Sequence, residues 1–242
     1  MRFSSKSRAR QYVWDLLVEQ RVARFPLPPH GRIPNFKGAE AAARRLFDLP
    51  LFQHVKRLKV NPDAPQRYVR QLALEKGIVV YMPTPRLRGG FFKLDPAQIP
   101  PSKYAEAAQL SRCQRWAIPV PLKDMPPVDA IVTGSVAVTR EGKRCGKGEG
   151  YGDLEYAILR ELGYPEVPVV TTVHPLQIVD DFPRDENDLP LHWIVTPHEI
   201  IPVEHPFPAP RGIDWDRLPA DALKTMPILQ ELYQSKYASG KN

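Results

Sequence analysis

Apolar residues recur along this chain at two spacings, and segments with one spacing alternate with segments of the other. In residues 5–22, Tyr12, Val13, Leu16 and Leu17 fall on one face, with Asp15, Glu19 and Gln20 opposite. That spacing predicts an amphipathic helix. The run F-P-L-P-P-H-G-R-I-P at 25–34 ends it. Alanine-rich 38–47 predicts a second helix, 55–60 a short strand, and Asn61-Pro62-Asp63 a turn. A third helix is expected over 66–75, closed by Gly77. The unbroken run I-V-V-Y-M at 78–82 predicts a strand covered on both faces, the mark of a parallel sheet. A helix at 104–110 and strands at 130–132 and 136–138 follow. Helix 153–162 then carries Leu154, Ile158, Leu159 and Leu162, and strands are expected at 167–173, 178–179 and 193–195. Strands alternating with helices predict an α/β, three-layer domain with a mostly parallel central sheet.

Proline changes the picture of the connections. The chain has 28 prolines, in clusters at 25–34, 83–85, 96–101, 119–127 and 202–210. Proline lacks an N–H and disfavours helix before it, so the clusters punctuate strands and loops. Their spread argues for one compact domain with long ordered loops. From 202 onward the chain is proline-rich, then loosely helical over 220–237. The expected organisation is therefore a core domain at 1–201 with a C-terminal extension, 202–242, packed on it.

Charge and cysteine content narrow the partners. With 34 Lys and Arg against 27 Asp and Glu, the formal charge is +7. An excess of positive charge suits anionic small molecules such as nucleotides, although solubility alone also accounts for it. A nucleic-acid partner is disfavoured, because no basic stretch is interleaved with aromatics. Cys113 and Cys145 make no disulfide framework, and no signal-peptide core is present, so a cytoplasmic location is expected. No stretch reaches the roughly 18 apolar residues of a membrane span. The six histidines are scattered without metal-site spacing, and no G-x-S-x-G elbow occurs. A monomer or homodimer is expected.

The most informative stretch is G-K-R-C-G-K-G-E-G-Y-G-D-L-E-Y at 142–156. Glycines let backbone N–H groups approach an anion, a following helix adds partial positive charge, and lysine completes a phosphate cradle. The loop is not a Walker A motif, because no Ser or Thr follows its lysine, and G-K-G-E-G does not fit the dinucleotide fingerprint. A glycine-rich surface turn is the plain alternative. Cys145 occupies an apolar position within the loop and is expected to be small and buried.

The loop resembles the signature of the 5-formyltetrahydrofolate cyclo-ligase (methenyltetrahydrofolate synthetase) family, G-x-R-[LI]-G-x-G-x-G-Y-Y-D-R. Gly142, Arg144, Gly146, Gly148, Gly150, Tyr151 and Asp153 all match. Lys6 and Arg10, at i, i+4, resemble the family's N-terminal K-x-x-x-R clamp, and D-E-N-D at 185–188 resembles its E-x-D element. The resemblance implies a NagB/RpiA/CoA-transferase-like α/β fold. It also implies an ATP- and Mg2+-dependent ligase that converts 5-formyltetrahydrofolate to 5,10-methenyltetrahydrofolate, or acts on a related heterocycle. Carried over residue by residue, Lys6, Arg10, Arg144, Gly146, Lys147, Gly148, Glu149, Gly150 and Tyr151 would hold the nucleotide. Lys147 and Tyr151 would also act on the reacting groups, and Asp153 and Asp188 would hold Mg2+. Lys6 and Arg10 equally fit a solvated helix face, Asp153 equally fits a helix N-cap, and Asp188 a solvated turn.

Two positions depart from the signature: Gly152 replaces the second tyrosine and Leu154 the arginine. G-R-I-P-N-F at 31–36 and K-V-N-P-D at 59–63 resemble a divergent branch, the methenyltetrahydrofolate synthetase domain-containing type. That branch implies the alternative of a nucleotide-binding paralog without cyclo-ligase activity, with a proposed link to thiamine metabolism. Asp63 stands roughly where the family places a substrate-binding glutamate. Arg86 and Arg88 follow a predicted strand whose C-terminal end faces a ligand crevice, and in extended chain they would point one way. They are expected to meet an anionic part of the substrate, or else to form a basic surface turn. Phe91 and Phe92 fit the core, or a stack on the heterocycle.

Overall fold

The computed structural model describes residues 1–238. Helix α1 (Lys6–Glu19) starts at Ser5, whose hydroxyl accepts from the Arg8 N–H at 3.1 Å, and it buries Ala9, Val13, Trp14 and Leu17. Strands β1 (Ala23–Arg24) and β2 (Asn35–Phe36) form a short ribbon around the proline loop. Then come α2 (Ala39–Leu46), β3 (Arg57–Val60), α3 (Arg67–Glu75), β4 (Val79–Pro83), β5 (Phe91–Leu94), α4 (Tyr104–Ala107), β6 (Ile118–Val120) and β7 (Ala130–Thr133). A second ribbon, β8 (Ala137–Val138) with β9 (Arg144–Cys145), precedes α5 (Tyr151–Glu161). The described residues continue with β10 (Val169–Thr172), β11 (Trp193–Val195), β12 (Ile200–Pro202), α6 (Ala222–Thr225) and α7 (Pro227–Ala238).

Eight strands form the central sheet in the order β12-β11-β10-β7-β3-β4-β5-β6. The five inner strands, β11 to β4, are parallel, and the outer strands join antiparallel. The chain leaves β3 in one direction through β4, β5 and β6, then returns to its other side at β7. That reversal opens a crevice beyond the C-terminal ends of β3 and β7, where ligands bind in open α/β sheets. The register sets the two strand ends side by side: Val60 lies opposite Val132, and the Asn61 N–H donates to the Val132 carbonyl at 3.2 Å.

Side chains alternate between the two faces of the sheet. Leu58, Val60, Val80, Met82 and Val132 pack under α2 and α3. Tyr81, Ile131, Val169 and Ile194 pack under α5, together with Ile228, Leu229 and Leu232 of α7. Burial of each such side chain contributes about 2 kcal/mol. A third cluster seats α1 on Phe36, Val136, Ala137 and Phe182. Lys59 projects toward α5, within an otherwise apolar face.

Several boundaries differ from the sequence expectations. Helix α5 begins at Tyr151 rather than 153, because Gly150 adopts φ +75° and turns the chain into it. Asp153 therefore sits inside the first turn and is not the N-cap. The expected strand at 136–138 joins the β8–β9 ribbon and not the sheet, and 178–179 makes only a bridge from Ile178 to Val138. No helix among the described residues is long and apolar enough to cross a membrane.

Candidate active site

A cleft of roughly 1840 Å³ opens at the C-terminal ends of β3 and β4. It is lined by the start of α1, the glycine loop, the first turn of α5 and the turn after β3. A single small ligand needs about 300–1,000 Å³, so the cleft has room for two.

The glycine loop forms one wall. Gly150 offers no side chain to cap α5, so the first-turn N–H groups at Tyr151, Gly152 and Asp153 stand at the cleft without a side-chain acceptor. This is an anion-binding arrangement. Arg10 reaches across from α1, and its Nε donates to the Gly146 carbonyl at 2.6 Å. Arg144 is buried; its Nε donates to the Gly134 carbonyl at 2.8 Å and its Nη1 lies 3.7 Å from Asp153 Oδ1. A Cβ added at Gly146 or at Gly152 would stand 3.1 Å from Arg144 Nη2. The guanidinium is thus pressed between two backbone segments, and Gly152, one of the two departures from the signature, is what lets α5 approach it. Lys147 and Glu149 face each other at 3.4 Å on the open rim. Tyr151 is half-buried at the head of α5.

The acidic pair lies beside this wall. Asp153 Oδ1 accepts the Leu189 N–H at 2.8 Å. Burial raises the Asp153 pKa, Arg144 opposes the shift, and Asp188 adds to it. Asp188 is buried, and its Oδ2 accepts from Lys6 Nζ at 2.5 Å and from the Asp185 N–H at 3.1 Å. Asp153 Oδ2 and Asp188 Oδ1 accept no hydrogen bond among the described residues. The described residues contain no group of three or more His, Cys, Asp or Glu able to hold a metal. Two carboxylates with free oxygens nevertheless fit Mg2+, which retains water and takes phosphate oxygens.

The floor holds residues that sequence reasoning missed. Fully buried Arg70 donates from Nη1 to the carbonyls of Asn61 (2.6 Å) and Asp63 (3.0 Å), and from Nε to that of Ala108 (2.8 Å). It thereby fixes the turn that presents Asp63; burial lowers its pKa to about 10. Burial raises the Asp63 pKa, with Lys147, Arg70 and Arg144 opposing. Lys59 Nζ donates to Asn61 Oδ1 at 3.1 Å and to Glu155 Oε1, both partners being buried. Burial raises the Glu155 pKa against the pull of Lys59. A signal for these residues was present in the helix patterns. Glu155 shares the stripe of Leu159 and Leu162 at i+4 and i+7, and Arg70 that of Ala73 and Leu74 at i+3 and i+4, so both are charges on core faces.

The arginine pair after β4 separates. Arg86 and Leu87 have φ of +53° and +55°, so the segment turns instead of extending. Arg86 lines the cleft and Arg88 does not. Phe91 is core, and Phe92 sits half-buried in β5 opposite Met82 and Pro119, away from the cleft. Cys145 is buried, and burial raises its thiol pKa.

Residues 2–197 match the model of the 5-formyltetrahydrofolate cyclo-ligase family. The mouse methenyltetrahydrofolate synthase domain-containing protein is 41% identical over 249 residues, covering 98% of this chain and 66% of its own length. Its human counterpart is 38% identical, with 98% and 64% covered. The chain thus spans just under two thirds of the length of these relatives. The solved structure of Aquifex aeolicus 5,10-methenyltetrahydrofolate synthetase superposes with a TM-score of 0.53 at 20% identity, over 83% of this chain and 93% of that one. That likeness extends to the mostly parallel sheet and its flanking helices.

Proposed function

The chain belongs to the 5-formyltetrahydrofolate cyclo-ligase family, and from that membership we propose that its cleft carries out ATP- and Mg2+-dependent closure of 5-formyltetrahydrofolate to 5,10-methenyltetrahydrofolate, with ADP and phosphate as the other products. The observation that carries this reading is the meeting of Lys6, Arg10, Lys147 and the uncapped first turn of α5 at one end of a single cleft.

In this reading the formyl oxygen attacks the γ-phosphorus and ADP leaves. N10 then attacks the activated carbon, the C–O bond breaks and phosphate departs. Such chemistry asks the protein for positioning and charge neutralisation more than for a nucleophile. Lys147 lies on the rim, where it can exchange Glu149 for a phosphate. Arg10 holds Gly146 in place, and Arg144 sets α5 against the loop. Tyr151, at the head of α5, would position the formyl group beside the phosphates. Asp63 would accept ring N–H donors of the substrate, while Arg86, which also lines the cleft, would meet its anionic tail. Asp153 and Asp188 would hold Mg2+, which neutralises phosphate charge when bound.

The test mixes the protein with Mg2+, ATP and 5-formyltetrahydrofolate and follows the methenyl absorbance. Product is expected from the parent, and Lys147→Ala should weaken nucleotide affinity about ten-fold or more. Nucleotide binding without product would replace this reading with that of a nucleotide-binding relative lacking the ligase step, which Gly152 and Leu154 motivate. Unchanged nucleotide affinity in Lys147→Ala would remove the loop from the phosphate site.

A further inference from the structure

The segment that follows the family-matched residues 2–197 returns to the cleft: Arg217 is part of its lining. Its Nη2 donates to Asp185 Oδ2 at 2.6 Å and its Nη1 to Asp185 Oδ1 at 3.1 Å. Asp185 in turn orders the tight turn that follows it. Its Oδ1 accepts the Asn187 N–H at 2.9 Å, its carbonyl accepts the Asp188 N–H at 3.1 Å, and its own N–H donates to Asp188 Oδ2. The same Asp188 oxygen takes Lys6, and the next residue, Leu189, donates to Asp153. One chain of contacts therefore runs from Arg217 through Asp185 to both carboxylates of the acidic pair.

The segment carrying Arg217 is itself laced to α5. Arg160 Nε donates to the Pro210 carbonyl at 3.2 Å, and Glu161 accepts from the Ile213 N–H at 2.9 Å and from Trp215 Nε1 at 3.4 Å. At Gly212 the backbone lies so close to Glu161 that an added Cβ would stand 2.3 Å from Oε2. The Arg217–Asp185 pair is half-exposed, so it adds little to global stability. Its two parallel hydrogen bonds fix direction, which a single ammonium does not do.

We propose that Arg217 is a positioning residue of the site: it holds the 185–188 turn so that Asp188 and Asp153 keep the spacing their ligand needs. The turn's order follows from the contacts alone; the metal half of the proposal rests on reading the cleft as a nucleotide and Mg2+ site. The hydrogen bond from Arg217 also holds the Asp185 carboxyl below its ordinary pKa, in keeping with a standing charge pair.

The test compares the full chain with Arg217→Ala and Arg217→Lys. Amide hydrogen exchange at 185–189 should speed up about ten-fold in Arg217→Ala, with the thermal midpoint and exchange elsewhere unchanged. The Mg2+ concentration that half-saturates ATP binding, read by calorimetry, should rise about ten-fold, with Arg217→Lys in between. Unchanged exchange at 185–189 overturns the proposal. So does faster exchange with an unchanged Mg2+ requirement, since that marks a purely structural contact, and so does a uniform loosening with a lower midpoint. The exchange readout needs no ligand. A parent that binds Mg2+ and ATP but forms no product therefore fails the ligase reading while leaving this one supported, and a parent that binds neither overturns the metal half.

Discussion

Two Lys–Glu pairs, one beneath the cleft and one on its rim, stand under opposite conditions. Lys59 and Glu155 are 2% and 5% exposed, while Lys147 and Glu149 are 36% and 57% exposed. The first pair joins β3 to α5 beneath the site, and Asn61 takes a further Lys59 hydrogen bond. Both partners are buried, so the pair is a fixed part of the floor. The second pair is wet, spans a single intervening residue, and can exchange its partner for a ligand at little cost. The contrast separates what shapes the cleft from what is free to grip an anion.

The largest expected effect breaks the buried pair. Glu155→Ala strands the Lys59 ammonium in the interior and should cost about 3–5 kcal/mol in urea denaturation. Replacing both partners together, Lys59→Met with Glu155→Leu, removes the stranded charge and should recover most of that loss. A loss below about 1 kcal/mol for Glu155→Ala would show that water already reaches the floor, and the contrast between floor and rim would fall.

This pair also marks where the sequence stops being legible. The glycine loop ending in Asp153, the Lys6 and Arg10 pair, and the turn carrying Asp188 can each be read because each is a short motif. Their arrival at one cleft follows from the reversal of strand order, which no local pattern contains. Lys59 and Glu155 are 96 positions apart, so although Glu155 stands out as a charge on a core-facing helix stripe, its partner shows only when the fold joins them. The inner strands β4, β7 and β11 show themselves as apolar runs. Edge strands β6 and β12 do not, because Pro119 interrupts the one and Pro202 closes the other after two residues, as edge strands allow. Arg88 departs from expectation for a local reason: two consecutive left-handed residues, Arg86 and Leu87, turn a segment that spacing alone treats as extended. Arg217 lies beyond every motif, in a segment expected only to pack on the surface.

A smaller effect sharpens the comparison through pH. Burial holds the Asp63 carboxyl above its ordinary value of 3.8. Between 3.8 and that raised value the folded protein binds more protons than the unfolded chain. Asp63's contribution to stability therefore falls as pH rises through this window and is constant above it. Asn at this position carries no such dependence. Asp63→Asn should therefore match the parent in urea titrations at acid pH and exceed it at pH 7, while folate affinity falls about ten-fold through the lost charged acceptor. A variant less stable than the parent at pH 7 would mean that the nearby Lys147, Arg70 and Arg144 outweigh burial.

The smallest effect tests the rim. Glu149→Gln removes the charge facing Lys147 without shortening the side chain. A wet pair of this kind contributes at most about 0.5 kcal/mol, so the urea midpoint should stay where it is. If the pair is a resting contact that a phosphate displaces, the freed ammonium has one competitor fewer. Nucleotide affinity should then rise, by no more than the roughly two-fold that about 0.5 kcal/mol corresponds to. The ionic-strength dependence of binding should steepen with it, because a carboxylate no longer offsets the positive rim. A ten-fold loss of affinity instead would make Glu149 a direct ligand of the bound molecule, and the rim would then be no freer to change partners than the floor beneath it.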